Sequence, residues 1–256
     1  MLPLNGGAVV WGDAPGRARD LLVDAGNARN AEHVVVPFLR AQGVNRLAHF
    51  ALTHGDVRHV GGAELVASNF HPVAVWTGPT RFRSPAYRAF LDRLAAIPER
   101  WRTVTRGDTL AGWTVLHPEA ADRFARADDA ALVLRAEVAG WRVLLLSDLG
   151  RLGQQALLGR EPDLRADIVL AGLPVAEEPL EPALLEAIRP RLVIIADDET
   201  PTSARAGPAL RARLARAQCP VLFTSDTGAL TLRLAPGRWR VEDGDGRTLL
   251  SGFTPR

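Results

Sequence analysis

The chain has 256 residues, 47% of them hydrophobic, and a formal net charge of +2. That balance reads as one globular domain and excludes whole-chain electrostatic capture of nucleic acid, so any such contact has to be local. The single cysteine, Cys219, excludes a disulfide framework and a thiolate metal cage. All 31 basic residues are arginine, which excludes Schiff-base and P-loop lysine chemistry.

In chain order, short aliphatic or β-branched runs predict strands at 8–11 and 21–24, helical periodicity predicts a helix at 31–42, and a strand follows at 47–52. A helix at 62–69, a strand at 73–76 and a helix at 84–96 come next. Strands then follow at 113–116, 131–136, 141–146 and 167–170, with a short helix at 154–158. The chain closes with a helix at 181–188, a strand at 192–196, a helix at 208–217 and strands at 221–224 and 230–234. Strands and helices alternate, but the pair at 131–136 and 141–146 flanks a tight turn. That mixture predicts an α/β domain of sheets with helices packed outside, and a single domain over 1–256. No apolar run approaches the ~18–20 residues of a membrane-spanning helix, and the N-terminus lacks a basic segment before an apolar one. A soluble domain with no membrane insertion is expected.

The most informative stretch is Thr53-His54-Gly55-Asp56-Val57-Arg58-His59-Val60-Gly61-Gly62. A loop leaving a strand end can aim several side chains at one point, and imidazole and carboxylate both suit zinc or manganese. Gly61 and Gly62 allow a close turn before the next helix. Asp24, at the end of the 21–24 strand, is placed to face the same edge as a supporting carboxylate. An isolated His-x-Asp-x-x-His is as compatible with surface histidines as with a metal.

With its Gly-Gly, this turn resembles the metallo-β-lactamase superfamily, whose pattern is His-x-(His/Asp)-x-Asp-His. The wider chain is similar to the soluble domain of the ComEC/Rec2 competence proteins, which act in DNA uptake. The segments that carry the likeness are LLVDAGN, VVPFLRAQGVNRLAHFALTHGDVRHVGGA, VLHPE, DDAALVL, WRVLLLSDLG, RADIVLAG, LLEAIRPRLVIIA and VLFTSDTGALTL, the last resembling a closing hairpin. The resemblance implies an αββα sandwich, two mixed sheets with helices outside. It implies metal ligands at His54, Asp56, His59 and Asp148, with Asp56 also the candidate catalytic carboxylate. Asp128 or Asp129 falls near a further ligand position. DNA and the membrane-spanning part of a ComEC-like protein are the implied partners. A tether to the bacterial inner membrane is implied if the chain is part of such a protein.

The pattern breaks at three places. Arg58 stands where a second-site aspartate is needed, and a guanidinium cannot ligate a metal. Leu173-Pro174-Val175 replaces a His-His-Gly, and near the last helix Gly207-Pro208 stands where the family has an Asn and then His-Pro; no histidine follows His117. A degenerate site is therefore expected, favouring a pseudoenzyme with a binding or structural role. In the favoured state there is no cofactor, and Arg58 pairs with Asp148 or Asp24 in place of an ion, with Asp24, Asp128 and Asp129 as supporting carboxylates. The alternative is a metal-dependent phosphodiesterase or nuclease with one Zn or Mn held by His54, Asp56, His59 and Asp148.

The run from Thr80 to Arg106 interleaves arginines with aromatics. Arg81, Arg83, Arg88 and Trp101 are candidate nucleic-acid contacts, against the plainer reading of an amphipathic helix with Tyr87 and Phe90 in the core. His33, His49, His71 and His117 read as structural, and Cys219 as core filler. Glu177-Glu178 and Asp197-Asp198-Glu199 read as solvated loops. There is no Gly-x-Ser-x-Gly elbow, dinucleotide-binding glycine motif or P-loop.

Overall fold

A computed structural model describes residues 1–4, 6–200 and 202–253. Three sheets form in chain order. The first has six strands: β1 (Leu2–Leu4), β2 (Gly7–Gly12), β3 (Leu21–Val23), β4 (His49–Leu52), β5 (Ala74–Thr77) and β6 (Trp101–Thr103), in that spatial order. The second has seven: β7 (Thr109–Leu110), β8 (Trp113–His117), β9 (Val133–Val138), β10 (Trp141–Ser147), β11 (Ile168–Ala171), β12 (Leu192–Ile195) and β13 (Val221–Phe223). A small third sheet holds β14 (Thr231–Ala235), β15 (Arg238–Glu242) and β16 (Thr248–Phe253).

Both large sheets follow one plan: antiparallel pairs lead into parallel strands, from β3 to β6 in the first and from β10 to β13 in the second. Parallel strands need crossovers, and helices supply most of them. They are α1 (Ala28–Asn30) and α2 (Val36–Ala41), joined by a π-turn at Ala31–Val35, then α3 (Val57–Val60), α4 (Ala63–Phe70), α5 (Pro85–Leu94), α6 (Arg151–Arg160), α7 (Pro182–Ile188), α8 (Pro208–Leu214) and α9 (Thr224–Thr227).

Alternation along the strands builds the layers. In β3 and β4, Leu22, Phe50 and Leu52 turn towards the first helical layer, while Leu21, Val23 and Ala51 turn towards the other sheet. In β11, Ile168 and Leu170 meet the first sheet, and Val169 and Ala171 meet α6, α7 and α8. Burial on both faces explains why these strands read as continuous apolar runs. The result is helix, sheet, sheet, helix: the αββα sandwich.

The expected strands and helices all form, with ends shifted by a few residues. Strands β1, β6, β7, β15 and β16 carried no prediction. Trp101 opens β6; its indole donates to Thr77 Oγ1 at 3.0 Å and packs against the first core. The closing hairpin expected around 221–234 is not one. Strand β13 joins the parallel sheet and β14 starts the third sheet. The reason is Asp197, which accepts from Ser225 N at 2.8 Å while Thr224 Oγ1 donates to its carbonyl at 2.6 Å. These bonds wind residues 224–227 into a helical turn before the chain leaves the sheet.

Candidate metal centre

Three strand ends and one helical turn converge on one buried cavity. Strand β3 delivers Asp24, β4 delivers Thr53 and His54, the turn into α3 delivers Asp56, Arg58 and His59, and β10 delivers Ser147 and Asp148. Asp24 (φ 63°) and Ser147 (φ 51°) both adopt the left-handed backbone that non-glycine residues avoid, and both sit at this cavity. Two glycines make room. A Cβ on Gly62 would lie 2.3 Å from Ala31 Cβ, and one on Gly172 would lie 1.8 Å from an Asp148 carboxylate oxygen.

Asp24 is the hub. It accepts from Thr53 N and from Thr53 Oγ1, each at 2.8 Å, and contacts His59 Nδ1 at 2.8 Å. His59 Nε2 lies 3.0 Å from Asp148 Oδ2, so the ring bridges two buried carboxylates. Burial alone would lower the His59 pKa; the charges of Asp148 and Asp24 outweigh it and raise it well above the usual value. In this arrangement His59 is an imidazolium, and its two N–H groups satisfy two carboxylates.

His54 is its counterpart. The Thr53 hydroxyl proton goes to Asp24, so the 2.9 Å contact between Thr53 Oγ1 and His54 Nδ1 requires Nδ1–H as donor. That leaves His54 Nε2 as a bare lone pair, fully buried and without a hydrogen-bond partner among the described residues. Burial, and then the neighbouring His59 charge, push the His54 pKa down to about 4, so a proton does not fill that vacancy at neutral pH. Asp128 Oδ1 stands 3.8 Å away. Burial lifts the Asp128 pKa to about 6, helped by the charges of Asp148 and Asp56.

Arg58 does not pair with Asp148 or Asp24, the two partners expected of it. Its Nε and Nη2 each reach Asp56, at 3.1 Å, and the Arg58 backbone N–H donates to the same carboxylate at 2.8 Å. Asp56 is the N-cap of α3, so its oxygens lie next to residue 58 before any longer contact can form. Burial would raise the Asp56 pKa, but the Arg58 bonds bring it down to about 2.

The structure thus brings His54, His59 and Asp148 together: their ligating atoms lie within 4.8 Å of one another, all buried. Asp128 joins them at the edge. Asp56 is nearby but occupied by Arg58. Asp129 is turned away; its Oδ1 accepts from Leu152 N at 2.9 Å and Gly153 N at 3.3 Å, capping α6. Phe82, Tyr87 and Phe90 are core residues, while Arg81, Arg83 and Arg88 stay exposed. His117 is buried on the Asp129 carbonyl at 2.7 Å. Asp197, expected in a solvated loop, is 3% exposed and ties Ala206, Arg211 and Ser225 together. Ser147 Oγ donates to Thr53 Oγ1 at 2.9 Å, and neither hydroxyl is among the candidate ligands. Their only sequence signal is position, each preceding a candidate ligand at a strand end.

These donors fit one ion. Two imidazoles and the Asp148 carboxylate suit zinc or manganese, with Asp128 3.8 Å from the unpartnered His54 Nε2, and His59 and His54 each have their second nitrogen held by a neighbour. Asp56 is not free to join them, because Arg58 holds its carboxylate and a guanidinium cannot ligate a metal.

No protein-family model matches the chain. ComE operon protein 3 from Bacillus subtilis (strain 168) is 29% identical over 200 residues, covering 75% of this chain. The match spans 24% of that relative, about a quarter of its length. A diphosphatase of the PhnP family superposes with a TM-score of 0.50 at 11% identity, covering 85% of this chain and 81% of that one. The Rm3 metallo-β-lactamase gives a TM-score of 0.46 at 16% identity, covering 85% and 90%. The chain thus shares its αββα fold with the PhnP-family diphosphatase, and by sequence it resembles ComE operon protein 3 over three quarters of its length.

Proposed function

We propose that this domain serves a DNA-uptake protein of the ComE operon protein 3 kind through binding or structural support, without dinuclear metal catalysis. The observation that carries the reading is the two-point contact of Arg58 on Asp56. It puts a guanidinium where a second ion needs a carboxylate. A proton on His59 does for Asp24 and Asp148 what a cation does elsewhere: it lets two buried carboxylates keep their charge. DNA is the proposed partner and the membrane-spanning part of the longer protein the proposed tether; both rest on the sequence likeness. No helix among the described residues is long and apolar enough to cross a membrane.

A second reading has its own observation, the unpartnered His54 Nε2. Here His54, His59, Asp148 and Asp128 would hold one Zn or Mn, which when bound supplies Lewis-acid activation of water. The chain's residues would then orient the ligands: Thr53 fixes the His54 tautomer and Asp24 fixes the His59 ring.

Metal per chain, measured by elemental analysis on protein purified without chelator, separates the two. No metal after incubation with excess Zn²⁺ or Mn²⁺ is expected on the first reading. About one equivalent, lost in His54→Ala, together with nuclease activity lost in Asp148→Ala, would replace it with the second. Salt-dependent binding of single- or double-stranded DNA is expected; none at low salt would sink the nucleic-acid role.

A further inference from the structure

Strands β10, β11 and β12 run parallel, so their first residues share one edge of the sheet. Along the seven residues of β10 this edge lies roughly 20 Å from Asp148 at the other end. A pocket of about 230 Å³ opens there, lined by Arg142, Arg165, Arg189, Arg191 and Asp167, with Ala166 and Ile188 among its walls. All four arginines are exposed at its mouth.

Four guanidinium groups around one small pocket repel each other, and few acids offset them. Asp167 Oδ1 accepts from Arg191 Nε at 3.1 Å, and Asp163 Oδ2 accepts from Arg142 Nη1 at 3.1 Å. Among the described residues, Arg165 and Arg189 have no carboxylate at ion-pair distance. The Arg189 Nε makes one long bond, 3.3 Å, to the Glu186 carbonyl. Arg189 also sits at the C-terminus of α7 with a left-handed backbone (φ 52°), where glycine or asparagine is the usual choice. Asp163 Oδ1 also accepts from Arg165 N at 3.0 Å, so the Arg165 and Arg189 guanidinium groups are the two that no carboxylate contacts among the described residues.

We propose that this pocket is an anion site for a phosphate group, free or in a nucleic-acid backbone. Guanidinium forks match phosphate oxygens two at a time, and several around one cavity suit a multiply charged group. The volume falls below the roughly 300–1,000 Å³ of drug-sized sites, which suits a phosphate rather than a whole cofactor. The inference does not rest on the DNA-uptake reading, because no residue of the buried centre takes part.

The test measures binding of pyrophosphate by calorimetry and of a short fluorescent single-stranded oligonucleotide by anisotropy, at low salt. The pocket variant is Arg165→Ala with Arg189→Asn, since asparagine tolerates the left-handed backbone and leaves the fold intact. The control is Arg19→Ala with Arg29→Ala, an equal charge change at exposed arginines of the first half of the chain. Affinity should fall at least about tenfold in the pocket variant and less than about twofold in the control. Loss for pyrophosphate alone assigns a small phosphate, loss for the oligonucleotide alone assigns the backbone, and loss for both assigns the shared group. No binding by the parent protein, unchanged binding in the pocket variant, or an equal loss in the control would overturn the proposal.

Discussion

At its C-terminal end β10 delivers Asp148 into a cavity where almost every charge has a named partner. At its N-terminal end it delivers Arg142 to a pocket where two of four guanidinium groups have no acid. The same strand manages both because water does not reach them equally. Asp148 is 2% exposed, and an unpaired charge there costs several kcal/mol, so a histidine proton and a carboxylate hub are wired around it. At the open end, screening lets like charges sit together at small cost. Buried electrostatics are therefore closed and exact in their pairing, whereas the open end keeps unspent charge for a ligand.

The contrast breaks hardest at His59. His59→Ala leaves Asp24 and Asp148 buried without their shared proton, and should cost ~3–5 kcal/mol in urea unfolding at neutral pH. A loss under about 1 kcal/mol would mean that the cavity is wetter than its burial indicates. Next comes Gly172→Ala, whose Cβ would displace the Asp148 carboxylate, at a cost of ~1–3 kcal/mol. The same substitution should disturb the His59 ring-proton resonances, which a distant packing defect would leave alone. Arg58→Ala strands Asp56 in a half-buried position. Both side chains are about a quarter exposed, so a smaller loss of ~1–2 kcal/mol is expected from thermal melts.

The pH dependence sharpens the comparison with signs that follow from each shift. The folded pKa of His59 is raised, so its contribution is complete below the ordinary 6.5 and is lost as pH rises through the folded value. Wild type should weaken on the alkaline side, and His59→Gln should be flatter there. The Asp56 pKa is depressed from 3.8 to about 2, so its contribution is complete above 3.8 and is lost as pH falls towards 2. Arg58→Ala should flatten that acid limb. The smallest effect belongs to the open end. The Arg142 and Asp163 side chains are 48% and 54% exposed, and Arg142→Ala should change stability by less than about 0.5 kcal/mol.

Much of the centre is legible in the chain because its residues cluster in sequence. Thr53 to Gly62 holds two candidate ligands, a cap and a turn, and Asp24 is marked by the strand before it. Asp148 is marked in the same way by the apolar run of β10. The partner of Arg58 is not legible in this way. The resemblance sets Arg58 where its pattern has a carboxylate, but does not tell that Asp56, two residues away, captures it as the cap of α3. Asp128 and Asp129 are adjacent and chemically alike, and only the placement of α6 separates a cavity carboxylate from a helix cap. Asp197 looked like part of an acidic loop because its partners lie 9 to 28 residues downstream.

Local pattern determined the elements. Apolar runs at the strands, helical periodicity between them and glycines at the turns specify sheets with helices packed outside, because those signals act over a few residues; the αββα order of the layers came from the family resemblance. Tertiary structure alone decided the electrostatics. Which carboxylate takes which cation, which imidazole nitrogen stays bare, and that Arg142, Arg165, Arg189 and Arg191 meet at one pocket all depend on parallel strands aligned across the sheet. Charges act through space over several ångströms, so their partners are set by the register of strands far apart in sequence.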